Sequence, residues 1–338
     1  MKQQSIVTAA AMLMLPFGQP FILNSSAALT ATALILSRPA KVIAQSASSY
    51  YKSGLKKSKK GDYFGAISDY NKAIEIKQGY ALAYYSRGIA KDNLKDFSGA
   101  ISDYSKTIEI NPKDASAYYK RGIANNNLKD YSAAISDFSK TIEMNPSDSS
   151  SYFNRGIAKD NLKDYSGALN DYNKAIKFNS KDPSAYYNRG VVKDNLKDYS
   201  GAILDYTKTI SFNKKYTYAH YNRGIAKYNL KDYSGAILDY NKEIDLRPND
   251  ASIYYNRGIS KSNLKDYSGA ISDFNKAIGI NPNDISFYYN LGDAKWNLFD
   301  YSGAISDYNK AFKINPNDFT EFHQRGIIRE KKYNFIDT

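Results

Sequence analysis

The sequence predicts an all-α solenoid in which one pair of helices is repeated along the chain. Glycine recurs every 34 residues from Gly54 to Gly326, with no insertion or deletion between these positions. Each repeat holds two helical patterns, and residues 251–284 are taken as the reference repeat. A fixed period of this length indicates stacked two-helix units that share one continuous core, rather than several globular domains.

The repeat boundaries follow from this period. Eight complete repeats start at residues 47, 81, 115, 149, 183, 217, 251 and 285, and a ninth, at 319–338, is truncated. Positions within a repeat are numbered 1 to 34 from these starts, so that the recurring glycine is at position 8. The sequence thus predicts three regions: an N-terminal segment (1–44), a repeat array (47–318) and a C-terminal half repeat (319–338).

The repeats resemble the tetratricopeptide repeat (TPR), a family of stacked helix-turn-helix units. The resemblance implies a right-handed superhelical solenoid of about eight repeats, with 319–338 as a C-terminal capping helix. Two positions depart from the family pattern, since position 7, usually leucine, is mostly arginine, and position 11, usually tyrosine, is mostly lysine. In the reference repeat the family's marker positions hold Tyr254 (where tryptophan is usual), Gly258, Tyr267, Ala270, Phe274, Ala277 and Pro282.

The ends of the second helix are visible in the reference repeat. Asp266 or Ser268 is suited to cap its N-terminus, and Asn281–Pro282 ends it, because a residue before proline is pushed out of the helical region. The small residues Gly258 and Ala270 are expected where the two helices approach most closely, so a larger side chain there overpacks the contact.

The N-terminal segment 1–44 resembles a secretory signal peptide. Residues 3–37 carry no charge, and the apolar runs 6–15 and 27–36 are each about half the length needed to span a bilayer. A candidate signal-peptide cleavage site with a small residue at its end, Ala44, lies just before the first repeat. We therefore expect an exported protein, periplasmic or extracytoplasmic, and an uncleaved membrane anchor is the alternative.

Composition limits the possible partners. The chain has 47 Lys and Arg against 34 Asp and Glu, a formal charge of +13, which would favour a polyanion such as nucleic acid, anionic lipid or an acidic glycan. The lysines are, however, spread evenly and interleaved with aspartates, so nucleic-acid binding is disfavoured. Cysteine is absent, which excludes disulfides and thiolate metal sites.

The charged positions 7 and 23 suggest a ladder of ion pairs. Pairing within a repeat leaves Arg325 without an acid, because its repeat ends before position 23. Pairing between repeats, as in Arg87 with Asp69, leaves only Asp273 without an arginine, so the sequence favours inter-repeat pairs. Position 7 holds Arg87, Arg121, Arg155, Arg189, Arg223, Arg257 and Arg325, and position 23 holds Asp69, Asp103, Asp137, Asp171, Asp205, Asp239, Asp273 and Asp307.

A helical wheel assigns the first helix two faces. Positions 3, 7, 10 and 14 are expected to pack, as Ile253, Arg257, Ser260 and Leu264 in the reference repeat. Positions 2, 6, 9 and 13 form the opposite face, which lines the concave groove in the TPR arrays that the chain resembles. The predicted groove residues are Asn154, Asn188, Asn222, Asn256 and Asn290 at position 6, Ile157, Val191, Ile225 and Ile259 at position 9, and Asn161, Asn195, Asn229 and Asn263 at position 13.

Amides and aliphatic side chains suit the backbone of an extended peptide. The position-6 row resembles the asparagine ladder of O-GlcNAc transferases, whereas asparagine at position 13 is equally explained by a turn. Trp296, the only tryptophan, is a candidate anchor for a partner, and packing of the last repeat is the alternative. Serine at position 2 disfavours the carboxylate clamp of chaperone-binding TPR proteins.

No constellation of catalytic or metal-ligating residues appears, and the two histidines occupy positions held elsewhere by tyrosine or phenylalanine. We therefore expect no enzyme activity, no metal and no cofactor. The sequence favours a monomeric protein-interaction scaffold that binds an extended peptide or another protein in its groove. A basic superhelix that binds a polyanion is the alternative.

Overall fold

The structure, a computed structural model, describes residues 40–315. Residues 1–39 of the predicted leader or anchor, the capping helix at 319–338 and Arg325 lie outside the described residues. Within 40–315 the chain forms sixteen α-helices and no β-strand, which confirms the all-α repeat prediction.

Each repeat consists of two consecutive helices, here called the A helix and the B helix. The A helices are α1 (Ala40–Lys59), α3 (Ala81–Asn93), α5 (Ala115–Asn127), α7 (Ser149–Asn161), α9 (Pro183–Asn195), α11 (Ala219–Asn229), α13 (Ala251–Asn263) and α15 (Ile285–Asn297). The B helices are α2 (Tyr63–Ile76), α4 (Phe97–Ile110), α6 (Tyr131–Met144), α8 (Tyr165–Phe178), α10 (Tyr199–Phe212), α12 (Tyr233–Leu246), α14 (Tyr267–Ile280) and α16 (Tyr301–Ile314).

A three-residue link joins the A helix to the B helix of each repeat. In the repeat that starts at 183, the Lys197 N–H donates to the Asp194 carbonyl (2.9 Å) and the Asp198 N–H to the Lys193 carbonyl (2.8 Å). This is the Schellman pattern, with Lys197 in the left-handed conformation (φ 63°). The Asp198 side chain then caps the B helix by accepting from the Gly201 N–H. One short link therefore ends one helix and starts the next.

The reference repeat confirms two of the predicted local features. The cap of its B helix is Asp266, whose side chain accepts from the Gly269 N–H at 2.9 Å. A Cβ added at Gly258 would lie only 2.7 Å from Phe274 Cε1, so the close helix contact requires glycine there. Leu264 was wrongly expected to pack: it is 46% exposed, because it lies in the link after the A helix has ended.

The chain divides into two compact units, residues 1–90 and 91–338. In the first unit, α1 packs against α2 around a core of Ala66, Tyr70 and Ala90. In the second unit, every helix from α4 to α16 packs against the next one along the chain. From α5 onward, each A helix also contacts the A helix of the following repeat, so the A helices form a continuous face within this unit.

The prediction of inter-repeat pairs between arginines and aspartates is wrong. Arg155 binds Asp171 of its own repeat through two nitrogens, with Nη2–Oδ1 at 2.7 Å and Nε–Oδ2 at 2.9 Å. Its remaining nitrogen, Nη1, donates to the Ser139 hydroxyl of the previous repeat at 2.9 Å. The observed pairs are Arg121–Asp137, Arg155–Asp171, Arg189–Asp205, Arg223–Asp239 and Arg257–Asp273.

Geometry explains this pairing. Position 7 of the A helix faces position 23 across the helix pair of one repeat, whereas the previous B helix presents the neutral position 25 to the same guanidinium. The neighbour therefore receives only a hydrogen bond, from Arg87, Arg121, Arg155, Arg189, Arg223 and Arg257 to Asn71, Ser105, Ser139, Asn173, Thr207 and Asn241, respectively.

Lysine at position 11 is a second cation that contacts the buried aspartate. Lys159 Nζ lies 2.8 Å from Asp171 Oδ2, and the Asp171 side chain is fully buried. Where leucine replaces the arginine, as at Leu291, Asp307 is paired with Lys295 (2.5 Å) and Lys310 (3.0 Å) instead. Each described repeat thus adapts its cations to keep this carboxylate compensated.

Asp239 shows the electrostatic consequence. Burial alone would raise the pKa of this carboxyl, but hydrogen bonds from His220, Arg223 and Lys227 lower the pKa well below its usual range. His220 therefore contacts this carboxylate rather than serving only as a packing residue, with Nδ1 3.4 Å from Asp239 Oδ1.

The A helix α11 begins differently from its counterparts. Tyr216 replaces the aspartate that caps other A helices, and the fully buried Glu243 of α12 takes over the capping role. Its carboxylate accepts from the backbone N–H groups of Tyr218 (3.1 Å) and Tyr221 (3.2 Å). Arg247 Nε pairs with the same carboxylate at 2.8 Å, and its guanidinium stacks over the Tyr218 ring at 3.8 Å.

Substitution Glu243→Ala tests this replacement cap. Alanine is the residue of several other repeats at this position, so the helix tolerates it, but the change leaves α11 uncapped and removes one of the two carboxylates that Arg247 contacts, the other being Asp250. We expect the free energy of unfolding to fall by about 3 kcal/mol in urea denaturation. The control Glu143→Gln alters an exposed carboxylate and should change little; equal stabilities for the two variants would contradict the capping role.

Candidate functional site

The predicted groove residues lie on one surface of the second unit. We call the A-helix face the surface formed by positions 5, 6, 9, 12 and 13 of the A helices α5 to α15. All predicted site residues from Asn154 to Trp296 belong to these positions. Since consecutive A helices contact each other, the rows continue from one repeat to the next.

The position-6 asparagines, here called the asparagine row, are half-buried and bound between repeats. Four of the five amide nitrogens donate to the tyrosine hydroxyl at position 5 of the preceding repeat. Asn188 differs, because Phe153 lacks a hydroxyl, and its amide donates to the Ser184 carbonyl (2.9 Å). The pairs are Asn154–Tyr119 (3.0 Å), Asn222–Tyr187 (2.9 Å), Asn256–Tyr221 (2.7 Å) and Asn290–Tyr255 (3.0 Å).

These bonds fix the direction of the amides. Within the described residues, the side-chain oxygens of the five asparagines receive no hydrogen bond and are not buried without a partner. In Asn154, Asn188 and Asn290 the NH₂ group also donates to the carbonyl four residues earlier, which can only accept, so the amide oxygen is the group left to solvent or to a ligand. Sequence reasoning missed this tyrosine row, although its recurrence one residue before the asparagines was a usable signal.

The aliphatic row at position 9 is half-buried against the B helices. Ile157 packs against Ala168 and Tyr172, and Val191 packs against the equivalent residues of the next repeat. Ile225 and Ile259 likewise border the core clusters of their repeats. The row therefore forms the floor of the face and exposes only part of each side chain.

The position-13 asparagines are exposed at the ends of the A helices. Asn161 and Asn263 each donate to the carbonyl four residues earlier, Ile157 and Ile259, at 2.9 Å. This geometry agrees with the helix-end explanation that the sequence left open for this row. Asn195 and Asn229 are exposed in the same way.

Trp296 is half-buried at position 12 of α15. Its ring lies 4.4 Å from the Tyr301 ring, measured between centroids, and it packs on the cluster of Ala304 and Tyr308. The side chain thus contributes to packing of the last described repeat.

Aspartate holds position 12 in three repeats and was not among the predicted site residues. Asp160 and Asp194 belong to the A-helix face, and Asp92 is their equivalent in α3. Tyr104 donates to Asp92 at 2.6 Å, whereas Asp160 and Asp194 form no side-chain hydrogen bond or ion pair within residues 40–315. Burial raises the pKa of both Asp160 and Asp194, to about 6 for Asp194. Their lack of partners could not be inferred from the sequence.

Asp194 gives the stability a defined pH dependence. Its folded-state pKa lies above the usual value near ~3.9, so folding takes up a proton between about pH 4 and pH 6. The contribution of this residue to stability therefore falls as the pH rises through that window. We expect Asp194→Asn to raise the free energy of unfolding by about 1–2 kcal/mol near pH 7 and by little near pH 4.

The measurement is urea unfolding of wild type and variant at both pH values. Asp245→Asn, which removes an exposed carboxylate of α12, is the control and should show no such difference. A stabilisation by Asp194→Asn that is equal at both pH values would contradict the shifted pKa.

No group of three His, Cys, Asp or Glu within residues 40–315 is arranged to hold a metal ion. No helix in the same part of the chain is long and apolar enough to cross a membrane.

Comparison with known families identifies the class of protein. Models described as "Tetratricopeptide repeat" match residues 85–149, 183–216, 251–284 and 285–318, and a model described as "TPR repeat" matches residues 161–193. The chain belongs to the tetratricopeptide repeat proteins. No curated protein sequence matches it.

Solved structures share the fold at low sequence identity. The C-terminal part of a TPR repeat-containing protein from Cytophaga hutchinsonii is 18% identical, with a TM-score of 0.61, over 71% of this chain and 98% of that one. A tetratricopeptide repeat protein from Parabacteroides merdae is 18% identical, with a TM-score of 0.55, over 74% and 99%. YrrB, a TPR protein with an unusual peptide-binding site, is 23% identical, with a TM-score of 0.52, over 56% and 97%.

Proposed function

We propose that this TPR protein is a non-enzymatic scaffold that binds an extended peptide, or an extended segment of a partner protein, on the A-helix face. The observation that carries the proposal is the asparagine row. Four of its five amides donate to a tyrosine hydroxyl of the preceding repeat, Asn188 donates to a backbone carbonyl, and the oxygens of all five have no partner among the described residues.

An extended backbone complements this row. Its N–H groups are hydrogen-bond donors that need acceptors, and the row offers one amide oxygen per repeat in α7 to α15. The half-buried aliphatic row beside it supplies apolar contact that does not depend on a particular ligand sequence. Because the acceptors are already oriented, little side-chain entropy is lost when a peptide binds.

The polyanion alternative has less support. Arginines at position 7 and lysines at position 11 supply much of the positive charge of the repeats, and in α7, α9 and α13 both cations pair with an aspartate of the same repeat. Each aspartate therefore neutralises one of the two cations, and both are held at a buried carboxylate rather than grouped in a basic patch. YrrB, which shares the fold, has a peptide-binding site, so the same architecture is compatible with a peptide ligand.

Selection from a library of unstructured peptides without charged side chains tests the proposal. Peptides selected on the wild-type chain should bind the variant Asn222→Ala/Asn256→Ala/Asn290→Ala roughly tenfold or more weakly, because three oriented acceptors are lost. Circular dichroism establishes that this variant remains helical. Binding should depend only weakly on salt, since a polyanion complex would weaken steeply as salt is added.

The matched control changes the B helices. Leu204 and Leu238 are 68% and 66% exposed, and serine occupies their position in several other repeats. Leu204→Ser/Leu238→Ser should bind the selected peptides as wild type does. Selected peptides that lose affinity with this control, and not with the asparagine variant, would place binding elsewhere and contradict the proposal.

Three predictions made from the sequence remain predictions. They are export or membrane anchoring through the N-terminal segment 1–44, a monomeric state, and the capping role of residues 319–338. Each lies outside what residues 40–315 address.

A further inference from the structure

Asp160 and Asp194 occupy the same position in consecutive repeats, and both carboxylates are half-buried without a partner among the described residues. The chain carries 13 more Lys and Arg than Asp and Glu, and the same repeats pair Asp171 and Asp205 with two cations each. Leaving a half-buried carboxylate unpaired costs free energy, so a structural role does not explain these two.

Two buried tyrosine hydroxyl groups also indicate a binding site at these position-12 carboxylates. Tyr172 and Tyr206 are fully buried, and their hydroxyl groups have no hydrogen-bond partner within residues 40–315. They hold position 24, and in the repeat that starts at 81 the equivalent Tyr104 donates to the position-12 Asp92 at 2.6 Å. The position-24 hydroxyl is therefore within reach of the position-12 carboxylate. In the repeats of Asp160 and Asp194 this hydrogen bond is not formed.

The sequence of the other repeats supports this connection. All three repeats with aspartate at position 12 have tyrosine at position 24, whereas the two repeats with phenylalanine there, Phe138 and Phe274, have Asn126 and Ser262 at position 12. A phenol under an acidic residue can donate to one carboxylate oxygen and leave the other for a ligand.

Position 12 lies at the seam between consecutive A helices. The Asn126 amide donates to the Asn154 carbonyl of the next A helix (3.5 Å), and the Asn263 amide donates to the Tyr228 hydroxyl of the preceding one (3.4 Å). By the same placement, Asp160 and Asp194 lie beside the asparagine and aliphatic rows, one at the seam of α7 with α9 and the other at the seam of α9 with α11.

We propose that Asp160 and Asp194 form an acidic subsite of the A-helix face that binds two lysine or arginine side chains of one extended peptide. The subsite rests on the proposed peptide-binding function and adds the class of ligand. Each carboxylate would accept from the phenol beneath it on one oxygen and from the ligand cation on the other, which satisfies both open groups.

The spacing of the two carboxylates sets the spacing of the cations. Packed helices lie about 8–10 Å apart, and three residues of a polyproline II chain span roughly 9 Å and return to the same side. The ligand pattern is therefore lysine or arginine at two sites three residues apart. A cation placed at each carboxylate would also lower the raised pKa, since it stabilises the charged form.

Fluorescence anisotropy with a labelled 12-residue probe, which spans about 37 Å as a polyproline II chain, tests the subsite. The probe carries K-x-x-K in a serine- and proline-rich background; comparison probes carry E-x-x-E, or two adjacent lysines. Wild type should bind K-x-x-K tightest and E-x-x-E not at all. Asp160→Asn/Asp194→Asn should lose about tenfold or more of the affinity for K-x-x-K, because two partly buried charge pairs are removed.

The matched control Glu143→Gln/Asp245→Asn removes two exposed carboxylates from B helices and should bind as wild type does. Equal affinity of Asp160→Asn/Asp194→Asn and wild type for K-x-x-K would overturn the subsite, as would no K-x-x-K binding to wild type. Both variants keep their fold, which thermal unfolding checks.

The neutral peptides selected from the library distinguish a failure of the acidic subsite from a failure of the proposed peptide-binding function. If they bind through the asparagine row while K-x-x-K shows no dependence on Asp160 and Asp194, only the subsite fails. If neither kind of peptide depends on the A-helix face, the proposed function itself fails.

Discussion

A buried carboxylate in every B helix is the constraint on which the rest of the structure depends. At position 23 the chain places aspartates that are at most 5% exposed, and such a group is tolerated only when cations and hydrogen bonds compensate it. Asp171 receives Arg155 and Lys159 from its own A helix, which ties the two helices of one repeat together. The remaining arginine nitrogen reaches Ser139 and connects that pair to the repeat before it.

This arrangement also shapes the charge of the A-helix face. The cations at positions 7 and 11 are directed into the helix pair, where they share a buried aspartate, and so they do not lie on this face. The face beside them is left with asparagine amides, aliphatic side chains and the two unpaired carboxylates of Asp160 and Asp194. A chain with a formal charge of +13 can therefore present a neutral to acidic surface to a ligand.

Much of the fold could be predicted from the sequence, because the 34-residue period, the caps and Gly258 are local signals. The ion pairs could not be predicted, because pairing each arginine with the aspartate 16 residues ahead or with the one 18 residues behind fits the 34-residue period equally well. The missing position 23 in the repeat of Arg325 favoured the wrong choice. The shared helical position of Asn222 and its counterparts could be read from the sequence, but the tyrosine hydroxyls that bind four of the five amides come from the preceding repeat, and such contacts depend on how repeats stack.

A double-mutant cycle on Asp171 tests the central claim most directly. Coupling is measured from the unfolding free energies of Arg155→Ala, Arg189→Ala and Asp171→Asn, alone and in pairs. The structure predicts a coupling of about 1–3 kcal/mol between Asp171 and Arg155, and close to zero between Asp171 and Arg189. A larger coupling with Arg189 would show that the ion pairs join neighbouring repeats and would contradict the account.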